Sequence, residues 1–335
     1  MVSDNSVQVA VIGSGYWGKN LVRNFYQLNA LRWICDTSRE LLKAMGQIYP
    51  GAQLTTRYQD VLEDDQVQAV VIATSPALHF SQAKEALIRG KHVFVEKPLA
   101  LGYQEGKELV ELADRQGLIL LAGHILEYHP AVTHLKEIIR QGELGQLWYI
   151  YSNRLNLGKV RTEENILWSF APHDISVILH LAGIEPEIVH ASGGSYLQAA
   201  IADVTVTNLV FKGGLKAHVF VSWLHPYKEQ KLVVIGDRKM AVFDDTVRKG
   251  KLCIYDKGIE WQGGVPIPRH IGEVTVPLED AEPLRIECEH FLACIREGKQ
   301  PLTDGESALR VLKVLEASQL SLEQEGVPVP LTAIH

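Results

Sequence analysis

The chain has 335 residues, more than one hydrophobic core usually serves, and 46% of them are apolar against 22% charged, an ordinary balance for a soluble globular protein of two domains. Acidic residues number 40 and basic ones 33, a formal charge of −7, so neither nucleic acid nor a membrane surface is expected as a partner. The opening "MVSDNS" lacks the pattern of a secretory signal, no apolar run reaches the roughly 18 residues of a membrane span, and Cys35, Cys253, Cys288 and Cys294 show no metal-ligand spacing. These absences predict a cytoplasmic protein without disulfides or a metal centre.

In chain order, apolar runs at "VQVAVIG", "LRWICD", "VQAVVIAT", "KHVFVEKP" and "LILLAGH" read as strands, separated by helical patterns such as "YWGKNLVRNFYQL" and "GYQEGKELVELADRQG". Continuously apolar strands alternating with helices predict a doubly wound parallel sheet covered on both faces, ending near Ala122. From residue 123 to 335 the pattern changes. A helix, "PAVTHLKEIIRQG", precedes strand-like segments at "LWYIYSNRL", "DVTVTNLVFK", "LKAHVFVSWL", "KLVVIGD" and "KMAVFDD". That order predicts an α+β domain with an open, mainly antiparallel sheet, closed by helices at "LRIECEHFLACIREG" and "GESALRVLKVLEASQLSLEQEG". An uncovered apolar face on such a sheet would favour homo-oligomerisation through that face.

The first βα turn carries the first chemistry. Gly13, Gly15 and Gly18 form G-x-G-x-x-G between a predicted strand and a predicted helix. There the first glycine permits the turn, the second admits a pyrophosphate to the backbone, and the third lets helix and strand pack closely. Asp36, at the end of the second strand, can accept from ribose hydroxyls, which favours NAD; Arg39 nearby could accommodate a 2′-phosphate, so NADP stays open. Glu96, Lys97 and Pro98 stand just past the carboxyl end of another predicted strand, the edge where open α/β sheets bind ligands. A lysine there can steady the oxyanion that develops as a hydride leaves. Taken alone, a Lys-Pro at a strand end is more often just an exposed lysine.

"VIGSGYWG", Thr74 and His79 in "TSPALHF", "KHVFVEKP", "GHILEYHPAV" and the tail from Glu289 to Ala317 together resemble the glucose-fructose oxidoreductase/inositol dehydrogenase family, in the right order over nearly the whole chain. The resemblance implies an N-terminal Rossmann domain (1–122) and a C-terminal substrate and oligomerisation domain (123–335). It implies a catalytic Lys97 with a cis bond to Pro98, and cofactor contacts from the glycine turn with Tyr16 and Trp17, and from Asp36, Thr74, Pro76, His79, Glu96 and Lys97. Its second catalytic element is an Asp-x-x-x-His motif, which places the base at His173 in "NILWSFAPHD". Ser169 stands at the aspartate position, a departure that puts in doubt any mechanism needing a carboxylate there. A histidine at a helix start, as His173 is read, would otherwise be a capping or core residue.

"GYWGKNLVRNF" and "NRLNLGKVR…WSFAPHD" are most similar to the sugar-nucleotide branch, which includes 3-dehydrogenases of UDP-N-acetylglucosamine or its glucuronate. Arg154, Lys159 and Arg161, read as a basic loop, could meet the substrate's phosphates or carboxylate, although solvated loop charge explains them equally well. Tyr128 could border the same pocket or pack between domains. Two alternatives stand beside the sugar 3-dehydrogenase. One is an NADP-dependent 3-ketoreductase of a dTDP-sugar, or another polyol dehydrogenase. The other is a non-catalytic NAD(P)-binding sensor, for which Ser169 is the best support.

Overall fold

The computed structural model describes residues 7–158 and 160–335; Lys159, expected near substrate, lies outside the described residues. The chain divides into two compact units, one running up to Tyr128 and including Ala281–Leu312, the other comprising His129–Asp280 and Lys313–His335. Sequence reading puts one boundary at residue 122, whereas the structure returns a late segment to the first unit.

In the first unit, β1 (Val9–Ile12), α1 (Gly18–Gln27), β2 (Leu31–Cys35), α2 (Arg39–Ile48), β3 (Gln53–Thr55), α3 (Tyr58–Leu62), β4 (Ala69–Ile72), α4 (Pro76–Ile88), β5 (His92–Glu96), α5 (Tyr103–Gln116) and β6 (Leu120–Gly123) alternate strand and helix. The strands form one sheet in the order β3-β2-β1-β4-β5-β6, and every pairing is parallel. Every residue of β1, β4 and β6 is buried, as a sheet covered on both faces requires. The strand order reverses between β1 and β4, which creates a crevice at their carboxyl ends.

The second unit contains α6 (Pro130–Arg140), β7 (Leu147–Leu155), α7 (Ile166–Ala182), β8 (Pro186–Gly194), β9 (Val204–Phe211), β10 (Lys216–Ser222), β11 (Glu229–Gly236), β12 (Met240–Asp244), β13 (Leu252–Gln262) and β14 (Val265–Thr275). The late segment supplies α8 (Pro283–Glu297), and then α9 (Gly305–Glu323) and β15 (Val329–Pro330) close the chain. Leu284, Cys288, Phe291 and Leu292 of α8 join Val9, Leu21, Phe25, Ile34 and Phe94 in one core, with the Phe94 and Phe291 rings edge-on at 5.6 Å. A terminal helix thus covers part of the first sheet.

The second sheet has nine strands in the order β14-β13-β12-β11-β7-β10-β9-β8-β15, mixed but mainly antiparallel; β7 and β10 are its one parallel pair among the described residues. β9 buries Thr205, Thr207, Leu209 and Phe211 and leaves Val204, Val206, Asn208 and Val210 partly exposed, the alternation of a sheet covered on one face. Helix α7 packs on β7, β9 and β10 and buries most of its circumference. Among the described residues no helix is long and apolar enough to cross a membrane, and all four cysteines are free.

Candidate active site

In the first unit the glycine turn is shaped by backbone contacts. A Cβ on Gly18 would lie 1.9 Å from the Gly13 carbonyl oxygen, and one on Gly13, at φ +86°, would lie 2.8 Å from the Ala73 oxygen. A Cβ on Gly15 would meet nothing within 4 Å. Two glycines therefore close the turn, and the middle one leaves open the space a pyrophosphate needs at the N-terminus of α1. Asp36 is fixed beside it: Oδ2 accepts from the Ser14 N–H at 2.7 Å and its hydroxyl at 2.9 Å, and Oδ1 from the Ser38 N–H at 2.9 Å. The donor set and the open cradle fit a dinucleotide whose ribose meets the carboxylate. Arg39 is exposed at the start of α2, and Tyr16 and Trp17 are both exposed in the turn.

Across the crevice, β5 ends at Glu96, and the Lys97–Pro98 bond that follows is cis. Lys97 is partly buried, while Glu96 is buried and accepts from the Trp17 indole N–H and weakly from the Lys97 backbone N–H at 3.3 Å. Burial pushes the Glu96 carboxyl up to about 7 against the pull of Trp17 and Lys97. His79 holds this end of the sheet together, with Nδ1 2.7 Å from the Pro98 oxygen and Nε2 3.2 Å from the Thr74 oxygen. Burial holds its imidazole below the usual histidine range, so the ring is neutral and its single N–H serves one of those carbonyls. The Thr74 hydroxyl donates to Gln82 at 2.7 Å, and Pro76 opens α4. Tyr128 is 4% exposed and its hydroxyl is bonded to Thr303 at 2.9 Å, so core packing within the first unit accounts for it.

In the second unit, His173 is partly buried in the middle of α7, not at a helix start as the sequence reading has it; the helix begins at Ile166, capped by Asn165. Ser169 lies one turn before His173, so the two share a helix face. Asp174 cannot substitute for the missing carboxylate. Its oxygens are taken by the Ser152 hydroxyl at 2.6 Å and by Arg154 at 2.7 and 3.3 Å, and its side chain is 3% exposed. Arg154 thus belongs to β7 and to a nearly buried ion pair, not to a basic loop. Arg161 does lie in the loop before α7, 3.9 Å from Glu164, with its carbonyl accepting from Gln198 at 2.8 Å.

Polar groups that sequence reasoning missed surround the end of β5. His124 and Glu287 are buried with none of their side-chain nitrogens or oxygens bonded, and Glu127 is buried nearby. Burial drives His124 down to about 4; it also drives Glu287 well above the usual carboxylate range, helped by the charges of Glu96 and Glu127. The only sequence signal was a glutamate on the apolar face of α8.

Two sequence models match the chain: residues 7–124 fit an oxidoreductase family with an NAD-binding Rossmann fold, and residues 132–242 fit the GFO/IDH/MocA C-terminal domain. The chain belongs to the Gfo/Idh/MocA family. Its first unit is therefore an NAD-binding Rossmann domain, and the protein is an oxidoreductase. Among Gfo/Idh/MocA relatives, UDP-N-acetylglucosamine 3-dehydrogenase from Acidithiobacillus ferrooxidans is 26% identical over 320 residues, covering 95% of this chain and 97% of that one. A solved structure of UDP-N-acetylglucosamine 3-dehydrogenase from the same organism superposes with a TM-score of 0.84 at 25% identity, over 96% of this chain and 98% of that one. An uncharacterized oxidoreductase of Streptococcus pneumoniae is 29% identical over 203 residues, and the match spans 56% of this chain but only 54% of that relative.

Proposed function

We propose that this protein oxidises the C3 hydroxyl of a UDP-N-acetylglucosamine-type sugar nucleotide to the ketone, using NAD. The observation that carries the reading is the end-to-end likeness to UDP-N-acetylglucosamine 3-dehydrogenase, together with a lysine just past β5 and a histidine on α7. The Asp36 carboxylate, already held by two serines beside the turn, supports NAD over NADP. Bound NAD supplies the hydride acceptor. His173 takes the hydroxyl proton as the general base. Lys97 donates to the same oxygen and stabilises its developing negative charge.

Because Arg154 is committed to Asp174, Arg161 is the better candidate among the described residues for a phosphate contact. The partly exposed Val204, Val206 and Val210 on the uncovered face of the nine-stranded sheet support a homodimer or homotetramer, checked by light scattering. The reading is tested by following NADH fluorescence with NAD⁺ and UDP-N-acetylglucosamine, its glucuronate, dTDP-glucose, myo-inositol and glucose. Turnover of one UDP-sugar alone is expected, and His173→Ala should lower its kcat by about 10²–10⁴. Turnover of polyols alone, or wild-type turnover by His173→Ala, overturns it. Silence across the panel despite NAD binding favours the sensor reading, with Ser169 as its supporting residue.

A further inference from the structure

A side-chain contact joins the glycine turn to the end of β5, next to Lys97, and the surroundings of that contact are specialised. Trp17 sits between the second and third glycines, at the N-cap of α1, and its indole N–H donates to Glu96 at the end of β5. Glu96 is next to Lys97 in the chain and its other oxygen accepts from the Lys97 N–H at 3.3 Å. Space for the carboxylate comes from Gly123 at the end of β6, where a Cβ would fall 2.9 Å from Glu96 Oε2. Strand β6 pairs with β5 in register, Glu96 against Gly123, so the adjoining strand is notched where the carboxylate lies.

Titratable groups near this carboxylate lie on several elements. Lys97 follows it just past β5, His124 follows β6, Glu127 lies in the 3-10 turn Ile125–Tyr128, and Glu287 lies on α8. Burial disfavours the charged forms of Glu287 and His124, which leaves Glu96, Lys97 and Glu127 as the groups whose charge bears on this end of the sheet. Burial opposes the ionised form of Glu96; the indole N–H and the lysine favour it. Without Trp17 as donor, the Glu96 carboxylate would be free to leave its place beside Lys97, and the lysine would lose part of that neighbouring negative charge.

We propose that Trp17 and Glu96 are positioning residues that tie the nucleotide turn to Lys97: the indole holds the Glu96 carboxylate, and the carboxylate sets the place and the proton affinity of the lysine. This rests on the proposed role of Lys97, but its test needs no sugar. The pH dependence of Lys97 acetylation by trace acetic anhydride, read by peptide mass spectrometry, is measured on the full chain with and without saturating NAD⁺. The same series is run on Trp17→Phe, Glu96→Gln and the double variant. Glu96→Gln removes the negative charge, so the Lys97 midpoint should fall by about one pH unit. Trp17→Phe should move it in the same direction, and the double variant should fall no further than Glu96→Gln alone, because both act through one contact. A midpoint unmoved in folded Glu96→Gln overturns the proposal, and so does a Trp17→Phe effect of equal size in the Glu96→Gln background. If Trp17→Phe does not fold, the Glu96→Gln midpoint decides alone. Failure of the sugar panel with a displaced Lys97 midpoint would sink the substrate reading and leave this link standing.

Discussion

At the scale of single residues, the three glycines of the turn do separable jobs, and mutation can pull them apart. Gly18→Ala forces a methyl into the Gly13 carbonyl, backbone against backbone, so the turn itself must move. The folded state should lose at least about 1–3 kcal/mol, the usual cost of overpacking, visible as a lowered midpoint in chemical denaturation. Gly15→Ala places its methyl in open space, so stability should stay within about 0.5 kcal/mol of wild type. NAD affinity of that variant should nonetheless fall at least tenfold, measured by titration calorimetry, because the methyl occupies the approach of the pyrophosphate. Equal effects of the two variants on stability would contradict this division of labour. Asp36 belongs to the same scale: two serines fix its carboxylate before any ribose arrives, so little side-chain entropy remains to be lost on binding.

At the scale of elements, β7 and α7 are joined by the Arg154–Asp174 pair, whose side chains are 12% and 3% exposed. Asp174→Ala leaves the guanidinium nearly buried without its counter-charge and should cost about 3–5 kcal/mol by urea denaturation. Replacing both partners with apolar residues should cost clearly less, because no charge is then stranded; a double variant as unstable as Asp174→Ala would refute the pairing argument. This pair also marks where the sequence stops being legible. The glycine turn, Asp36 and Lys97 could be read because each sits at a strand end within a short local pattern. Arg154 was read both at the end of the strand "LWYIYSNRL" and in a basic loop, because Ser152, Asn153 and Arg154 are polar just before β7 ends at Leu155, and its partner lies 20 residues away on a helix. His173 was placed at a helix start because Pro172 usually opens helices, yet here it stands inside α7. Strand β14 escaped notice for a similar reason. Pro266 and Pro268 argue against a central strand, but β14 is an edge, where a missing N–H costs no ladder bond. The return of α8 to the first sheet was also hidden, since an apolar stripe announces a buried face without naming the surface it covers.

At the scale of the whole molecule, the buried ionisable groups of the first unit pull stability in opposite directions with pH. His124 is neutral when folded, at about 4, but titrates near 6.5 when unfolded. Between those values the unfolded chain binds more protons, so this contribution is complete above pH 6.5 and is lost as pH falls toward 4, about 3 kcal/mol in all. His79, also held below its usual range, acts in the same sense. Glu96 and Glu287 work the other way. Their folded carboxyls hold protons above the ordinary range, so the folded state binds more protons than the unfolded one above about pH 4.5, and stability declines as pH rises toward 7. Between pH 4.5 and 6.5 the two sets oppose, and the melting temperature of the wild type should vary little on their account. Glu287→Gln removes one of the declining contributions and keeps the shape. Its melting temperature relative to wild type should therefore rise from pH 5 to pH 8, measured by calorimetry in buffers of matched ionic strength. A difference that is flat across that range would mean that Glu287 is ionised in the folded protein, with a buried partner that holds its charge.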